Sequence, residues 1–245
     1  MIRHKYLNCL FICLCAGYIS CGVDEYYYLP QIPEGSISRD LNTEAVIVIP
    51  PIPDQYYYAN FYTIYYRIYV SNHLTTSVSE LAQISPALLS DYNLFFPITN
   101  PANTTAITMA NTFSNRNYFR LEFEGTSIAN VLPPGGGTLR IQFPTAQWGI
   151  PVVSLNDGQQ FRIIRSSELS SPEPRGDLLF RNTPELRDNA NANANTNADV
   201  AGRAGIMQYA YVSMYIVAVG TDPANFSAIY SKPTHISVFK LPDTH

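Results

Sequence analysis

The amino-acid sequence predicts an all-β fold, an antiparallel sandwich, on three observations. Two long β-rich runs close the chain, Ile206 to Val219 and Ser227 to Leu241, separated by the turn formers Gly220, Asp222, Pro223 and Asn225. Several upstream segments alternate apolar and polar residues with a period of two, the pattern of a strand with one face on a core. Asn156-Asp157-Gly158 lies between the segments Val152 to Leu155 and Gln160 to Ile164, which is the chain's strongest local hairpin signal.

The first residues read as a processed leader covering 1–20. Arg3, His4 and Lys5 precede an apolar stretch from Leu7 to Ala16, and no acidic residue occurs before Asp24. A stretch that short cannot span a hydrocarbon layer of about 30 Å as a helix. All four cysteines, Cys9, Cys13, Cys15 and Cys21, fall in the first 21 residues, so the body has no cysteine for an internal disulfide or a zinc-finger spacing. Gly17-Tyr18-Ile19-Ser20-Cys21-Gly22 resembles a bacterial lipoprotein processing site of the relaxed form found in spirochaetes. The small residue before the cysteine is Ser20, and Tyr18 stands where leucine is usual. The resemblance implies lipidation of Cys21 and attachment to the outer or inner membrane of the cell envelope, with two or more acyl chains needed for stable anchoring.

Processing there removes Arg3 and Lys5 and no acid, moving the net charge from −4 to −6. No basic patch remains to offset a phosphate backbone, so nucleic acid is not an expected partner.

Residues 21–43 read as a lipidated tether, or as a first edge strand built on Tyr26, Tyr27, Tyr28 and Leu29; 44–245 form the body. Ala45 to Ile49 is a buried strand stopped by Pro50-Pro51, and Gln55 to Ala59 is a candidate edge piece. Phe61 to Val70 is the clearest strand: Tyr62, Ile64, Tyr66, Ile68 and Val70 form a core face. The opposite face, carrying Thr63, Tyr65, Arg67 and Tyr69, is expected to be half in solvent. Leu81, Ile84, Leu88 and Leu89, spaced by three and four, predict one or two short helical turns across one end of the sheets, with β-structure resuming at Leu94. Phe119, Leu121 and Phe123, and then Leu139, Ile141 and Phe143, predict strands around the turn Pro133 to Gly137. Leu178 to Arg181 is a possible short strand, and Asp188 to Asp199 an exposed Asn/Ala repeat with nothing large to bury.

Met214, Ile216 and Ala218, running into Val219-Gly220, and Ser231-Lys232-Pro233, leading into Ile236 and Val238, resemble the last two strands of a fibronectin type III or related immunoglobulin-like domain. Phe61 to Val70 resembles the third. The tryptophan of the second strand is absent, Trp148 being far downstream, and Met214 stands where that pattern has tyrosine. Such a domain needs about 100 residues, and Ala45 to Leu241 gives nearly twice that. The resemblance therefore implies one immunoglobulin-like sandwich with a long insertion, or a second β-domain over Thr104 to Arg181; the first leaves neither long strand without a partner.

Chemistry is sparse. His73, His235 and His245 have no metal-ligand spacing, and His235, out of phase with Ile236, is expected to face solvent. No G-x-S-x-G segment is present, and Gly135 to Thr138 lacks the Gly-Lys of a phosphate loop. No catalytic residue, metal or cofactor is expected. Glu122 and Glu124 read as outward partners of Arg120, and Asp91, Asp157 and Asp222 as caps beside turn formers. The functional colour is aromatic: Tyr56, Tyr57, Tyr58, Tyr65 and Tyr69 form the candidate binding surface, for a protein partner or alternatively a glycan. The expected role is a non-catalytic binding or structural module. A carbohydrate-binding module is the first alternative, and a glycosidase using paired carboxylates the second.

Overall fold

The computed structural model describes residues 29–40, 43–74, 80–95, 113–132, 135–146, 149–166, 179–187, 198–201 and 207–243. Cys21, Tyr26 to Tyr28 and most of the Asn/Ala repeat lie outside them.

Two antiparallel sheets face each other. The first runs in the order β1 (Ile37–Asp40), β2 (Glu44–Ile49), β6 (Gly137–Gln142), β7 (Val152–Leu155), β8 (Gln160–Ile164), β5 (Glu122–Phe123). The second is built on β10 (Tyr209–Thr221), flanked on one side by β3 (Ala59–Ser71) and on the other by β11 (Ala228–Tyr230) and β12 (Thr234–Lys240). Across β3, the short β4 (Phe119–Arg120) pairs antiparallel and β9 (Val200–Ala201) parallel.

The long pair β3 and β10 is in register from Tyr209 opposite Ser71 to Val219 opposite Phe61. Both strands are dense in β-branched and aromatic residues, which pack well on a pleated surface. Their inner faces bury Tyr62, Ile64, Tyr66 and Ile68 against Val212, Met214, Ile216 and Ala218. The same cluster takes in Ile47, Leu139, Ile141 and Val153 from the first sheet. Each fully buried valine, leucine, isoleucine or methionine among them contributes roughly 1.5–3 kcal/mol.

The two C-terminal runs are thus neighbours in one sheet, as their sequence predicts, but the second is broken in two. Pro233 has no N–H for the ladder, and the chain steps out over Ser231 to Pro233. Ser231 compensates: its Oγ accepts the Ala218 N–H at 2.8 Å, and its own N–H donates to the Ala218 carbonyl at 2.9 Å.

The strand neighbours are those of an immunoglobulin-like sandwich, in which the first, second and fifth strands share one sheet and the third, sixth and seventh the other. Here β1, β2 and β6 take the first set and β3, β10 and β12 the second, with β7, β8 and β5 continuing the first sheet beyond β6. The chain crosses between sheets at Leu121, so that β4 and β5, two residues each, lie in different sheets.

Several local expectations are corrected. The expected edge strand on the tyrosine triplet lies outside the described residues; further on, β1 pairs with β2 at the edge of the first sheet, and Leu29 and Ile32 are both buried. Gln55 opens no strand: Asp54–Tyr56 is a 3-10 turn. Leu94 and Phe95 belong to the end of a helix rather than to resuming β-structure; the rest of that expected segment lies outside the described residues. Leu178 lies outside the described residues, and Leu179 forms an isolated bridge with Ile164. At the hairpin, Leu155 N–H donates to Gln159 O at 2.9 Å and Gly158 N–H to Leu155 O at 3.0 Å. The loop therefore has three residues, with Gly158 at φ +84°, and Leu155 rather than Asn156 faces Gln159.

The largest correction concerns helices. α1 (Leu81–Ile84) and α2 (Pro86–Phe95) lie against the outer face of the second sheet, not across its end. Short helices α3 (Ile128–Val131) and α4 (Pro184–Arg187) have no signal in the sequence pattern.

One glycine is fixed by both conformation and crowding. Gly136 has φ +73°, and a methyl group there would lie 2.5 Å from the Ile49 carbonyl oxygen and 2.7 Å from the Pro51 nitrogen. Gly136→Ala is expected to lower the unfolding free energy by about 2–3 kcal/mol, seen as a lower urea midpoint at unchanged slope.

Candidate functional site

Two regions of the sandwich concentrate exposed aromatic or buried ionic side chains. The first is the end where β2, β6 and β10 meet their loops. Thr221 N–H donates to the Tyr58 carbonyl at 2.9 Å and Asn60 Nδ2 to Thr221 Oγ1 at 2.9 Å, tying the Pro50–Tyr58 loop to the Asp222–Ser227 loop. Tyr56 and Tyr58 lean on the core, their rings in an edge contact at 6.1 Å. Tyr57 projects outward and is 75 % exposed.

Phe226, 83 % exposed, is a residue that sequence reasoning missed. Its setting, Asp-Pro-Ala-Asn-Phe-Ser, reads as turn chemistry; a lone large apolar residue within such a stretch was the available signal. The turn is closely bonded: Asp222 Oδ1 accepts the Ala224 N–H, Asn225 Oδ1 the Ser227 N–H, and Asp222 O the Phe226 N–H, each at 2.8 Å. Phe226 itself is held at φ +60°, a region that bulky side chains rarely occupy.

At the same end a cleft of about 420 Å³ opens between the start of β6, α3 and the β7–β8 hairpin. Asn130, Thr138, Asn156 and Gln159 line it beside Ile49 and Leu139, and Asp157 is its one carboxylate.

The second region is the outer face of the second sheet, where the candidate surface residues Tyr65 and Tyr69 lie. The expectation that this face is half in solvent is overturned: Tyr65 is 9 % and Tyr69 0 % exposed. Tyr65 stacks on Phe113 with centroids 4.3 Å apart, and Phe95 of α2 adds a second stacked contact to Phe113 at 4.9 Å. Of the five candidate surface tyrosines, the structure brings Tyr56, Tyr57 and Tyr58 together at the loop end and buries Tyr65 and Tyr69 beneath helix.

Beneath that helix lies Asp91, which is no turn cap. Leu88, Asp91 and Phe95 are the buried stripe of α2, placing the carboxylate against the sheet. Its Oδ2 accepts from Arg67 Nη1 at 2.7 Å and from Tyr69 OH at 2.5 Å, and its Oδ1 from Arg116 Nη1 at 2.9 Å. The Tyr69 and Tyr118 hydroxyls are 2.8 Å apart. Burial, and then the nearby Asp91 charge, push the Tyr69 hydroxyl well above the ordinary tyrosine range, keeping it a donor. A second buried pair joins Arg165 to Asp199 through Nε–Oδ2 at 2.8 Å and a close Nη2–Oδ1 contact. The end of the Asn/Ala repeat is thus anchored in the protein, rather than exposed.

His235 is likewise buried, correcting the solvent-facing expectation. Its ring meets Tyr92 edge-on at 5.1 Å and Tyr215 at 4.9 Å. Ser213 Oγ is 3.5 Å from His235 Nε2, yet both lie sealed from solvent, out of reach of a substrate. Glu122 and Glu124 are not partners of Arg120: Ser166 Oγ donates to Glu122 at 3.2 Å, and Glu124 pairs with Arg162 at 3.0 Å.

Among the described residues no group of three or more His, Cys, Asp or Glu could hold a metal ion, and no helix is long and apolar enough to cross a membrane. Set against protein-family models, curated proteins and solved structures, the chain matches none of them.

Proposed function

We propose that the chain is a lipid-anchored protein of the bacterial cell envelope, held through Cys21, whose sandwich is a non-catalytic binding or structural module. The observation that carries this reading is the arrangement of the N-terminal segment. The last cysteine follows Ser20 after an apolar stretch, and only seven residues separate it from Leu29, a buried residue of the core. A leader ending at Cys21 would therefore deliver an acylated residue immediately ahead of the folded body. The membrane is then one partner, through lipid, and a protein the second.

The mass of the native protein tests this. A mature chain beginning at Cys21 and carrying acyl chains is expected, and Cys21→Ser should move the protein wholly from the membrane fraction to the soluble one. An unmodified Cys21 in the mass spectrum would defeat the reading.

A glycan-binding role is the alternative. Its support is the cleft lined by Asn130, Asn156, Asp157 and Gln159, whose amides and carboxylate suit sugar hydroxyls. A platform of Tyr65 and Tyr69 gives it none, because both rings are covered.

A further inference from the structure

We propose that the loop end carrying Tyr57 and Phe226 is seated on the lipid bilayer, so that the domain stands with this end down and its opposite end in water. The inference rests on acylation at Cys21 and adds an orientation to it.

Leu29, the first described residue, lies at this end. A methyl group on Gly220 would lie 3.3 Å from Leu29 Cδ1 and 2.6 Å from the Tyr58 carbonyl, which places Leu29 beside the junction of the two loops. From there the chain runs away from the loops: Ile32 O accepts from Thr234 Oγ1, and β1 then pairs antiparallel with β2, whose far end, Ile49, is at the loops. Seven residues lie between Cys21 and Leu29. Fully extended, they bridge about 28 Å. By comparison β3, with 13 residues, spans roughly 43 Å of the body's length. The link is too short for the opposite end to face the anchor, so the nearest surface to the bilayer is the one bearing Tyr57 and Phe226.

That surface has the chemistry of a bilayer interface. Two exposed aromatic rings project from short, well-bonded loops: the amphipathic ring of tyrosine settles at headgroup depth, and the apolar ring of phenylalanine at the headgroup–acyl boundary. Phe226 is both the most exposed large apolar residue described and one held at positive φ by its turn. Backbone strain retained at an exposed ring points to a use for the ring. The loops Pro50 to Asn60 and Thr221 to Tyr230 contain Asp54 and Asp222 but no lysine or arginine. Attraction is therefore hydrophobic, toward zwitterionic lipid, and insensitive to salt.

The absence of any cysteine after Cys21 allows a single environment-sensitive label on the full acylated protein. Ala224→Cys places it beside Phe226, and His73→Cys, beyond the far end of β3, is the control; both positions are exposed. In phosphatidylcholine vesicles the label at 224 is expected to shift to the blue and be quenched by lipid-borne quencher, at low and high salt alike, and the label at 73 to do neither. Phe226→Ser combined with Tyr57→Ser should abolish the shift at 224 while acylation and the thermal midpoint remain. Acylated protein with no shift at 224, or with equal shifts at 224 and 73, overturns the orientation alone and leaves those rings to a partner in water. A shift that requires anionic lipid and vanishes with salt overturns it as well. Unmodified Cys21 removes the premise, and the mass spectrum tells that failure from the others.

Discussion

Replacing Asp91 with alanine is expected to lower the unfolding free energy by about 3–5 kcal/mol, as found when one partner of a buried ionic cluster is removed. The carboxylate is fully buried and serves three donors, from Arg67, Arg116 and the Tyr69 hydroxyl. Without it, the Arg67 guanidinium, its side chain only 14 % exposed, remains as a charge under α2 with no counter-ion. Arg67 also lies 5.6 Å from the Tyr69 ring centre and 5.9 Å from that of Tyr118, contacts that soften the loss but cannot replace a carboxylate. Arg116 provides the contrast. Its side chain is 41 % exposed, so it can return to water, and Arg116→Ala should cost no more than about 1 kcal/mol. Changing Asp91 and Arg67 together to leucine should recover most of the loss, since no charge is then stranded. Urea unfolding checks all three. Similar midpoints for Asp91→Ala and Arg116→Ala would show that the carboxylate does not hold the helix to the sheet.

The same cluster shows why part of the fold was legible in the sequence and part was not. A strand buried on one face announces itself through neighbours two residues apart, and the inner face of β3, Tyr62 to Val70, was readable for that reason. Its other face carries Thr63 and Arg67, and polar residues there look the same whether they meet water or a buried partner. Arg67 meets Asp91, 24 residues later and in a helix of weak periodicity, and no local pattern links the two. Tyr65 and Tyr69 consequently read as surface. His235 misled likewise: it is out of phase with Ile236 as the pattern implies, but α2 covers the face predicted to be wet, and a bulge after it puts Val238 on that outer face while Ile236 and Phe239 face the core. At the loop end, Tyr56 to Tyr58 stood out as a run, whereas Phe226 was hidden among turn formers. The hairpin was legible as a hairpin, yet its pairing depended on where the positive φ falls. Asn156-Asp157-Gly158 is compatible with a two-residue or a three-residue loop, and the strand register decides between them.

His235 should make the protein acid-labile well above the range in which carboxylates titrate. Burial, and secondarily the Arg39 guanidinium, lower its pKa from 6.5 to about 3. Arg39 bonds to the His235 carbonyl at 2.5 Å and the Ile236 carbonyl at 2.6 Å, setting a fixed positive charge beside the ring. The other groups facing it are neutral: Tyr92 from α2, and Tyr215 and Ser213 from β10. Arg39 in turn pairs with Glu34, which is half exposed. Because the folded-state pKa lies below the unfolded one, the unfolded chain binds the additional proton between about pH 6.5 and 3. Stability therefore falls as pH drops through that window and is unaffected by this group above it. At 1.36 kcal/mol per pH unit the loss is about 2 kcal/mol at pH 5 and about 4 kcal/mol near pH 3.5. Between pH 6.5 and 5 ordinary aspartates and glutamates stay ionised, so this interval isolates the histidine. His235→Gln keeps a polar side chain in the cavity and cannot take up the proton. Its unfolding midpoint should start lower at pH 7.5 but stay level down to pH 5, whereas that of the parent protein declines. Equal slopes for the two would mean that the imidazole takes up its proton in the fold as readily as in the unfolded chain, and a charged ring between Tyr92 and Tyr215 would require the helix to sit more loosely on the sheet than its packing indicates.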